Sequence, residues 1–327
     1  MKQHRAATIL LSHMKDYMRI GADALASRLD LDQSYADVSN ILICGMGGSG
    51  IVGDIMRDLT EETLAKPLLV CKRSTLPAFA GPETLLVVVS YSGGTIETIS
   101  ALESGIARGC RIIGFTSGGK VERMLTGHGF PCFKLPPGLM ARESLPFTLF
   151  GMINAFGRLG WMREGEIDPK ALEGRRERIE SLAREIAPKL AHKEVVIYTA
   201  YQAVAQRLKS ELNENAKAVA RYDLITELCH NEINSWVNQR EDSHILLLRD
   251  SEERPEVRDM VEIVKRMLRP PEYTEVVAEG GSRAERLLFL IWLGDFVSYY
   301  LAKENRVEPE SIPATEFLRK EMSARYA

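Results

Sequence analysis

The sequence predicts an α/β protein made of two doubly wound domains, each a mainly parallel sheet flanked by helices. Short apolar runs alternate with amphipathic helical patterns along the chain. The runs are rich in β-branched residues without polar alternation, which is typical of parallel strands buried on both faces. A length of 327 residues suffices for two cores. We place the boundary near residue 160, giving an N-terminal domain over 1–160 and a C-terminal domain over 161–327.

The first half carries the clearer strand and helix alternation. An amphipathic helix is expected over 1–28, before the first strand. The predicted strands cover 41–44, 67–72, 84–90, 111–116 and 129–135. The predicted helices cover 51–59, 95–108, 121–127 and 142–161. This rhythm indicates a chain of βαβ units and a first parallel sheet.

The second half repeats the plan without any repeat visible at the sequence level. A charged helix over 173–190 leads into it. Strands are predicted at 194–198, 244–248 and 273–278, and helices at 201–218, 255–268, 283–305 and 312–325. A second sheet of the same type is therefore expected.

Composition excludes several classes of protein. The formal net charge is -3, so the chain has no basic field to bind nucleic acid. Its late apolar run, 287–293, is far shorter than the ~20 residues that span a membrane, and no secretory signal is seen. The five cysteines show no zinc-site spacing, which predicts reduced thiols in a cytoplasmic protein without a metal.

A glycine-rich turn follows the first predicted strand. Gly45-Met-Gly-Gly-Ser-Gly50 lies between that strand and a helical pattern, where backbone amides and the helix dipole can hold an anion. The segment contains GxGxxG, the spacing of a dinucleotide site. The second strand ends in Cys71-Lys72-Arg73 and lacks the acidic residue that binds the ribose of NAD, although an NADP site stays open.

A second polar turn follows the third predicted strand. Ser90, Ser92 and Thr95 bring three hydroxyls to the sequence SYSGGT, just before a helix. Ser92 or Thr95 alone could simply cap that helix. Two such turns on neighbouring strand ends of one sheet favour a shared ligand site, because ligands bind in crevices at the carboxyl ends of strands. Converging hydroxyls fit a phosphate monoester better than a pyrophosphate.

Four segments carry a resemblance to a known family: CGMGGSGIVGDIMRD (44–58), SYSGGTIET (90–98), ELNENAK (211–217) and CHNEINSW (229–236). With the two-domain layout they extend over nearly the whole chain. The chain resembles the sugar isomerase (SIS) domain family and, within it, the bifunctional phosphoglucose/phosphomannose isomerases. The first two segments indicate only sugar-phosphate binding, whereas ENAK and HNEI are the specific part.

The resemblance implies two SIS-type domains, a metal-free aldose–ketose isomerisation of hexose 6-phosphates and no cofactor. It implies that the phosphate is held by the residues Gly47, Gly48, Ser49, Ser90, Ser92 and Thr95. It also implies that Glu214 moves the proton between C1 and C2 and that Arg142 stabilises the enediolate. His230 from the other subunit of a homodimer would assist ring opening together with Lys320.

This sequence departs from the family pattern at three places. Gly94 stands where asparagine is expected, and Ala141 stands where a proline usually precedes the arginine. The terminal lysine has an arginine, Arg319, beside it. We choose Lys320 because a guanidinium stays protonated and cannot cycle a proton.

Two other classes of function stay open at this stage. A SIS-type regulatory module would bind sugar phosphate without turnover, although no basic helix-turn-helix pattern is present at either end. An NADP-dependent oxidoreductase would use the glycine-rich turn for its cofactor. An amino-sugar deaminase or synthase of the same fold is the nearest enzymatic alternative.

Overall fold

The computed structural model describes residues 10–27, 30–163, 165–237, 242–268 and 273–326. It contains a five-stranded sheet and a four-stranded sheet, and all of their pairings are parallel in this part of the chain. The predicted fold class is confirmed. The first sheet comprises Asn40–Cys44 (β1), Leu68–Cys71 (β2), Thr84–Val89 (β3), Arg111–Thr116 (β4) and Cys132–Lys134 (β5), in the order β2-β1-β3-β4-β5.

The second sheet contains one strand that the sequence did not predict. It comprises Glu194–Thr199 (β6), Ala220–Leu224 (β7), Ser243–Asp250 (β8) and Tyr273–Ala278 (β9), in the order β7-β6-β8-β9. The missed strand is β7, whose sequence is ARYDL. It lies at the sheet edge and is mostly half-buried, so it lacks the continuous apolar run of the inner strands.

The described residues contain twelve α-helices for which both ends are defined. They are Tyr17–Ala26 (α1), Gly47–Thr60 (α2), Ile96–Ala107 (α3), Gly119–Gly127 (α4), Leu145–Arg158 (α5), Pro169–Glu173 (α6), Arg176–Leu190 (α7), Gln202–Glu214 (α8), Ile225–Leu228 (α9), Pro255–Met267 (α10), Arg283–Glu304 (α11) and Pro313–Tyr326 (α12). Two boundaries correct the sequence prediction. Helix α2 begins within the glycines, four residues before the predicted start at 51, and α8 ends at Glu214 and not at 218.

The helices and sheets form layers around a shared core. One apolar cluster joins alternate residues of both sheets with helices α1, α2, α5, α7, α8 and α11. Separate clusters cover the outer face of the first sheet, under α3 and α4, and of the second sheet, under α9 and α10. Helix α11 crosses the shared core, and 19 of its 22 residues are buried. Burial on all sides explains why this helix is apolar all round.

The strand order of the first sheet positions the site. The chain winds outward in one direction from β1 to β2 and in the other from β3 onward, so a crevice opens between the carboxyl ends of β1 and β3. The two polar turns of the sequence follow these two strands. Among the described residues, none of the helices has the length and apolar character needed to cross a membrane.

Candidate active site

The first glycine-rich turn forms the N-terminus of α2 in this crevice. Gly47 opens the helix with a φ of +52°, a conformation that favours glycine. The first N–H groups of a helix lack intrahelical acceptors, so those at Gly47 and Gly48 are available to an anion. Ser49 is buried, and its Oγ accepts a hydrogen bond of 3.1 Å from the Tyr91 amide. That bond ties the first turn to the second.

The second turn brings its hydroxyls to the neighbouring strand end. Ser90 is buried, and its Oγ donates to Thr95 Oγ1 at 3.4 Å. Ser92 is exposed and accepts a 3.3 Å bond from the Gly94 amide. Thr95 is the N-cap residue of α3, but its side chain makes no capping bond. Helix capping therefore does not account for this hydroxyl. The two turns together, called the anion cradle below, are a candidate site for an anion.

Arg142 lies directly against the cradle. A Cβ added to Gly48 would lie 2.9 Å from the Arg142 backbone nitrogen, so only glycine allows this approach. The guanidinium is buried. Its Nη1 donates to Glu214 Oε2 at 2.8 Å, and its Nη2 donates to the Pro309 carbonyl at 3.1 Å. The alternative role for this arginine is an ordinary salt bridge to Glu143 or another carboxylate, and the structure pairs it with Glu214.

Glu214 is the last residue of α8, and its side chain is 42% exposed. The loop after it is fixed by Lys217, which has a φ of 53°. Lys217 Nζ donates to the carbonyls of Glu214, at 2.8 Å, and Glu308, at 2.6 Å. Burial, followed by the positive charge of Arg142, lowers the pKa of this ammonium. The Glu214 carboxylate is thus held beside Arg142 while one side stays open to a ligand.

The structure does not bring His230 or Lys320 to this pair within one chain. His230 follows the short helix α9 and is exposed. Lys320 is exposed on α12. Within the ranges described above, no hydrogen bond or ion pair joins either side chain to Arg142 or Glu214. The side chain of Arg319 lies outside the described residues.

A buried ionic cluster behind Arg142 was missed at the sequence level. Arg207 of α8 lies between two buried carboxylates, 2.7 Å from Glu211 Oε1 and 3.0 Å from Asp295 Oδ1. Burial raises the pKa of Glu211 to about 7, although Arg207 opposes the shift. The spacing of Arg207, Glu211 and Glu214 on one helix face was the available signal. This spacing does not distinguish the buried cluster from an ordinary ion pair on an exposed helix face.

The alternative ligands find less support in the described residues. No group of three or more His, Cys, Asp or Glu side chains there is arranged to hold a metal ion. Lys72, which follows β2, is ion-paired with the buried Asp54, and Arg57 lies 3.5 Å from the same carboxylate. A 2′-phosphate of NADP would have to compete with Asp54 for this lysine.

Comparison with known proteins identifies the family of this chain. Residues 179–322 match the family model of the bacterial phospho-glucose isomerase C-terminal SIS domain. A bifunctional phosphoglucose/phosphomannose isomerase of Thermoplasma acidophilum is 34% identical over 96% of this chain and 100% of that protein. One of Aquifex aeolicus is 32% identical over 90% of this chain and 93% of that protein. A solved structure of a hypothetical protein from Thermus thermophilus has a TM-score of 0.72 at 14% identity, covering 99% of this chain and 94% of that one, and shares the fold.

Proposed function

Because the chain belongs to the bifunctional phosphoglucose/phosphomannose isomerase family, we propose that it interconverts glucose 6-phosphate and fructose 6-phosphate and also accepts mannose 6-phosphate. The observation that carries this proposal is the pairing of Arg142 with Glu214 at 2.8 Å, directly beside the anion cradle. The cradle suits the 6-phosphate, and the pair suits proton transfer at the other end of an open-chain sugar.

We propose a role for each group in this reaction, and the geometry of the site supports these roles. The hydroxyls of Ser49, Ser90, Ser92 and Thr95 and the first amides of α2 hold the phosphate. The Glu214 carboxylate takes the proton from C2 of the aldose and returns it to C1, and the hydroxyl proton moves between the two oxygens. Arg142 places a fixed positive charge beside the enediolate oxygens, and its two bonds keep it aimed before the charge develops.

A homodimer forms part of the proposal, with His230 completing the neighbouring site and assisting ring opening with Lys320. The exposed position of His230 on its own chain supports this arrangement. Helix α12, which carries Lys320, also exposes Phe317 and Leu318 by 67% and 60%, as surfaces that meet a partner often do. A cytoplasmic location is proposed as well, supported by the five free cysteines.

A mixing experiment tests the shared site. The variants Glu214→Gln and His230→Ala are each expected to be inactive. If His230 serves the neighbouring site, re-equilibrated mixtures contain dimers with one intact site, and activity returns to roughly a quarter of the wild-type value. No recovery, with mixed dimers demonstrated by tagging, would place His230 in its own chain's site. Wild-type activity of His230→Ala alone would place this residue outside any site.

The activity itself is tested with EDTA-treated protein and fructose 6-phosphate. We expect both glucose 6-phosphate and mannose 6-phosphate to appear, followed by separate coupled assays. Formation of glucose 6-phosphate alone would contradict the bifunctional assignment. Binding of sugar phosphate without turnover would instead support the regulatory module, and hydride transfer with NADP would support the oxidoreductase.

A further inference from the structure

The cluster around Arg207 places three charged side chains in the protein interior. Arg207 and Glu211 lie on α8, and Asp295 lies in the middle of helix α11, between apolar residues. All three side chains are at most 5% exposed. Replacing a buried ion pair by apolar residues of similar size is often neutral or stabilising, so stability alone is a weak reason for such a cluster.

A third bond connects this cluster to the candidate active site. Arg207 Nη2 donates to the main-chain carbonyl of Arg142 at 3.2 Å. The two carboxylates hold the other nitrogens of the guanidinium, Asp295 at Nε and Glu211 at Nη1. A planar guanidinium can satisfy three acceptors at fixed angles, whereas an ammonium cannot reproduce that geometry. The position of the Arg142 main chain is therefore coupled to the position of Arg207.

On its other side, Arg142 packs against the anion cradle. Its backbone nitrogen lies against Gly48, and its carbonyl oxygen accepts the hydrogen bond from Arg207. Glu214 follows Arg207 by seven residues on the same helix, so both lie on one face of α8. One helix thus fixes the carboxylate directly and the arginine through Arg207.

We propose that Arg207, anchored by Asp295 and Glu211, is a positioning residue that holds Arg142 in line with Glu214 for the isomerisation. The inference rests on the proposed function. Without the third bond the Arg142 main chain loses its direct hydrogen bond to α8, and the distance from its guanidinium to the reacting oxygens changes. Substrate binding through the cradle depends much less on this bond, because the cradle is built on α2 and α3.

The test is a double-mutant cycle in the isomerase assay. Arg207→Lys is expected to lower kcat by about 10- to 100-fold, as a misplacement of roughly 1 Å does, with KM for fructose 6-phosphate changed less than about threefold. Adding Arg207→Lys to Arg142→Lys is expected to lower kcat further by less than about twofold, because both changes disturb the same feature, the placement of the positive charge at position 142. A purely structural loss would instead multiply with the effect of Arg142→Lys.

Arg249→Lys is the matched control. Arg249 of β8 is also a buried arginine shared by several carboxylates, but its partners lie on the loop after β8 (Glu253), on α10 (Glu262) and on β9 (Glu275). We expect this variant to lose stability with kcat within about twofold of wild type, because it changes no bond to Arg142. An equal loss of kcat in both variants would show a general effect of destabilisation and overturn the proposal.

Two further results decide the outcome. Independent, multiplicative losses in the cycle, or wild-type kcat in folded Arg207→Lys, would overturn the positioning role. If Arg207→Lys does not fold, Asp295→Asn replaces it in the cycle, since asparagine keeps the shape and an acceptor but removes the charge that anchors Nε. Wild-type protein in the same assay separates the two hypotheses, because absence of any wild-type turnover contradicts the proposed function and not the bond network.

Discussion

Gly48→Ala perturbs the contact that places Arg142 against the anion cradle. The new Cβ would lie 2.9 Å from the Arg142 nitrogen, 3.0 Å from the Ala141 carbonyl carbon and 3.1 Å from Arg142 Cα. All three atoms are backbone, so no flexible side chain can move aside. Ordinary contact begins at 3.4 Å, so the two segments must separate by at least 0.5 Å, the difference between 3.4 and 2.9.

This displacement affects both activity and stability. If a misplacement of about 1 Å costs about 100-fold in rate, half of it costs on the order of tenfold, and we expect kcat to fall by about that factor. Overpacking costs about 1–3 kcal/mol, whereas replacing glycine by alanine in a helix returns about 1 kcal/mol. The expected net loss of unfolding free energy is therefore about 0–2 kcal/mol.

The assay compares kcat and urea denaturation with a matched helical glycine. Gly157 of α5 has no atom within 4 Å of the added Cβ. Gly157→Ala should raise the unfolding free energy by about 0.5–1 kcal/mol and leave kcat unchanged. Wild-type kcat in Gly48→Ala would refute the tight approach of Arg142 to the cradle, and so would an equal loss in both variants.

Two further predictions concern the helix that carries Glu214. Asp58 of α2 accepts a 2.7 Å hydrogen bond from the Ala203 amide and so caps the start of α8. Asp58→Ala should lower the unfolding free energy measured by urea denaturation by about 1–2 kcal/mol, and Asp58→Asn should lower it much less. Equal losses in the two variants would contradict the capping role. For Glu211, burial raises the pKa from 4.5 to about 7. Between these values the folded state binds a proton that the unfolded state has released, so stability falls as pH rises through this window. Glu211→Gln should flatten that fall in Tm between pH 5 and pH 7.5, and an unchanged slope would assign the proton elsewhere.

The sequence predicted both sheets because the inner strands are continuous apolar runs. The edge strand β7 was missed because Arg221 and Asp223 interrupt its pattern and only one neighbour covers it. The start of α2 was placed too late because glycines disfavour a helix interior. At a helix N-terminus beside another backbone, the missing Cβ matters more than helix propensity.

Some parts of the candidate site could be predicted from the sequence better than others. Local order along the chain placed both turns of the cradle at neighbouring strand ends, since parallel strands end at one edge of a sheet. The family resemblance alone implied that Arg142 and Glu214, which are 72 residues apart, serve one site, and their ion pair was not predicted. Arg207 and Asp295 gave no such signal, because charged residues are mostly exposed and their burial depends on tertiary packing. The roles of all the candidate site residues, His230 and Lys320 included, stay predictions.

The central claim, that Glu214 moves the proton between C1 and C2, is tested most directly by Glu214→Gln in deuterated water. Fructose 6-phosphate is supplied, and deuterium at C2 of the aldose product is followed by NMR together with turnover. Glu103→Gln is the control, since Glu103 is also ion-paired, with Lys120 at 2.8 Å, and its side chain is 52% exposed. We expect Glu214→Gln to lower turnover by at least about 100-fold and to abolish deuterium incorporation, with the control unchanged. Wild-type turnover and exchange in Glu214→Gln would contradict the assignment of the base.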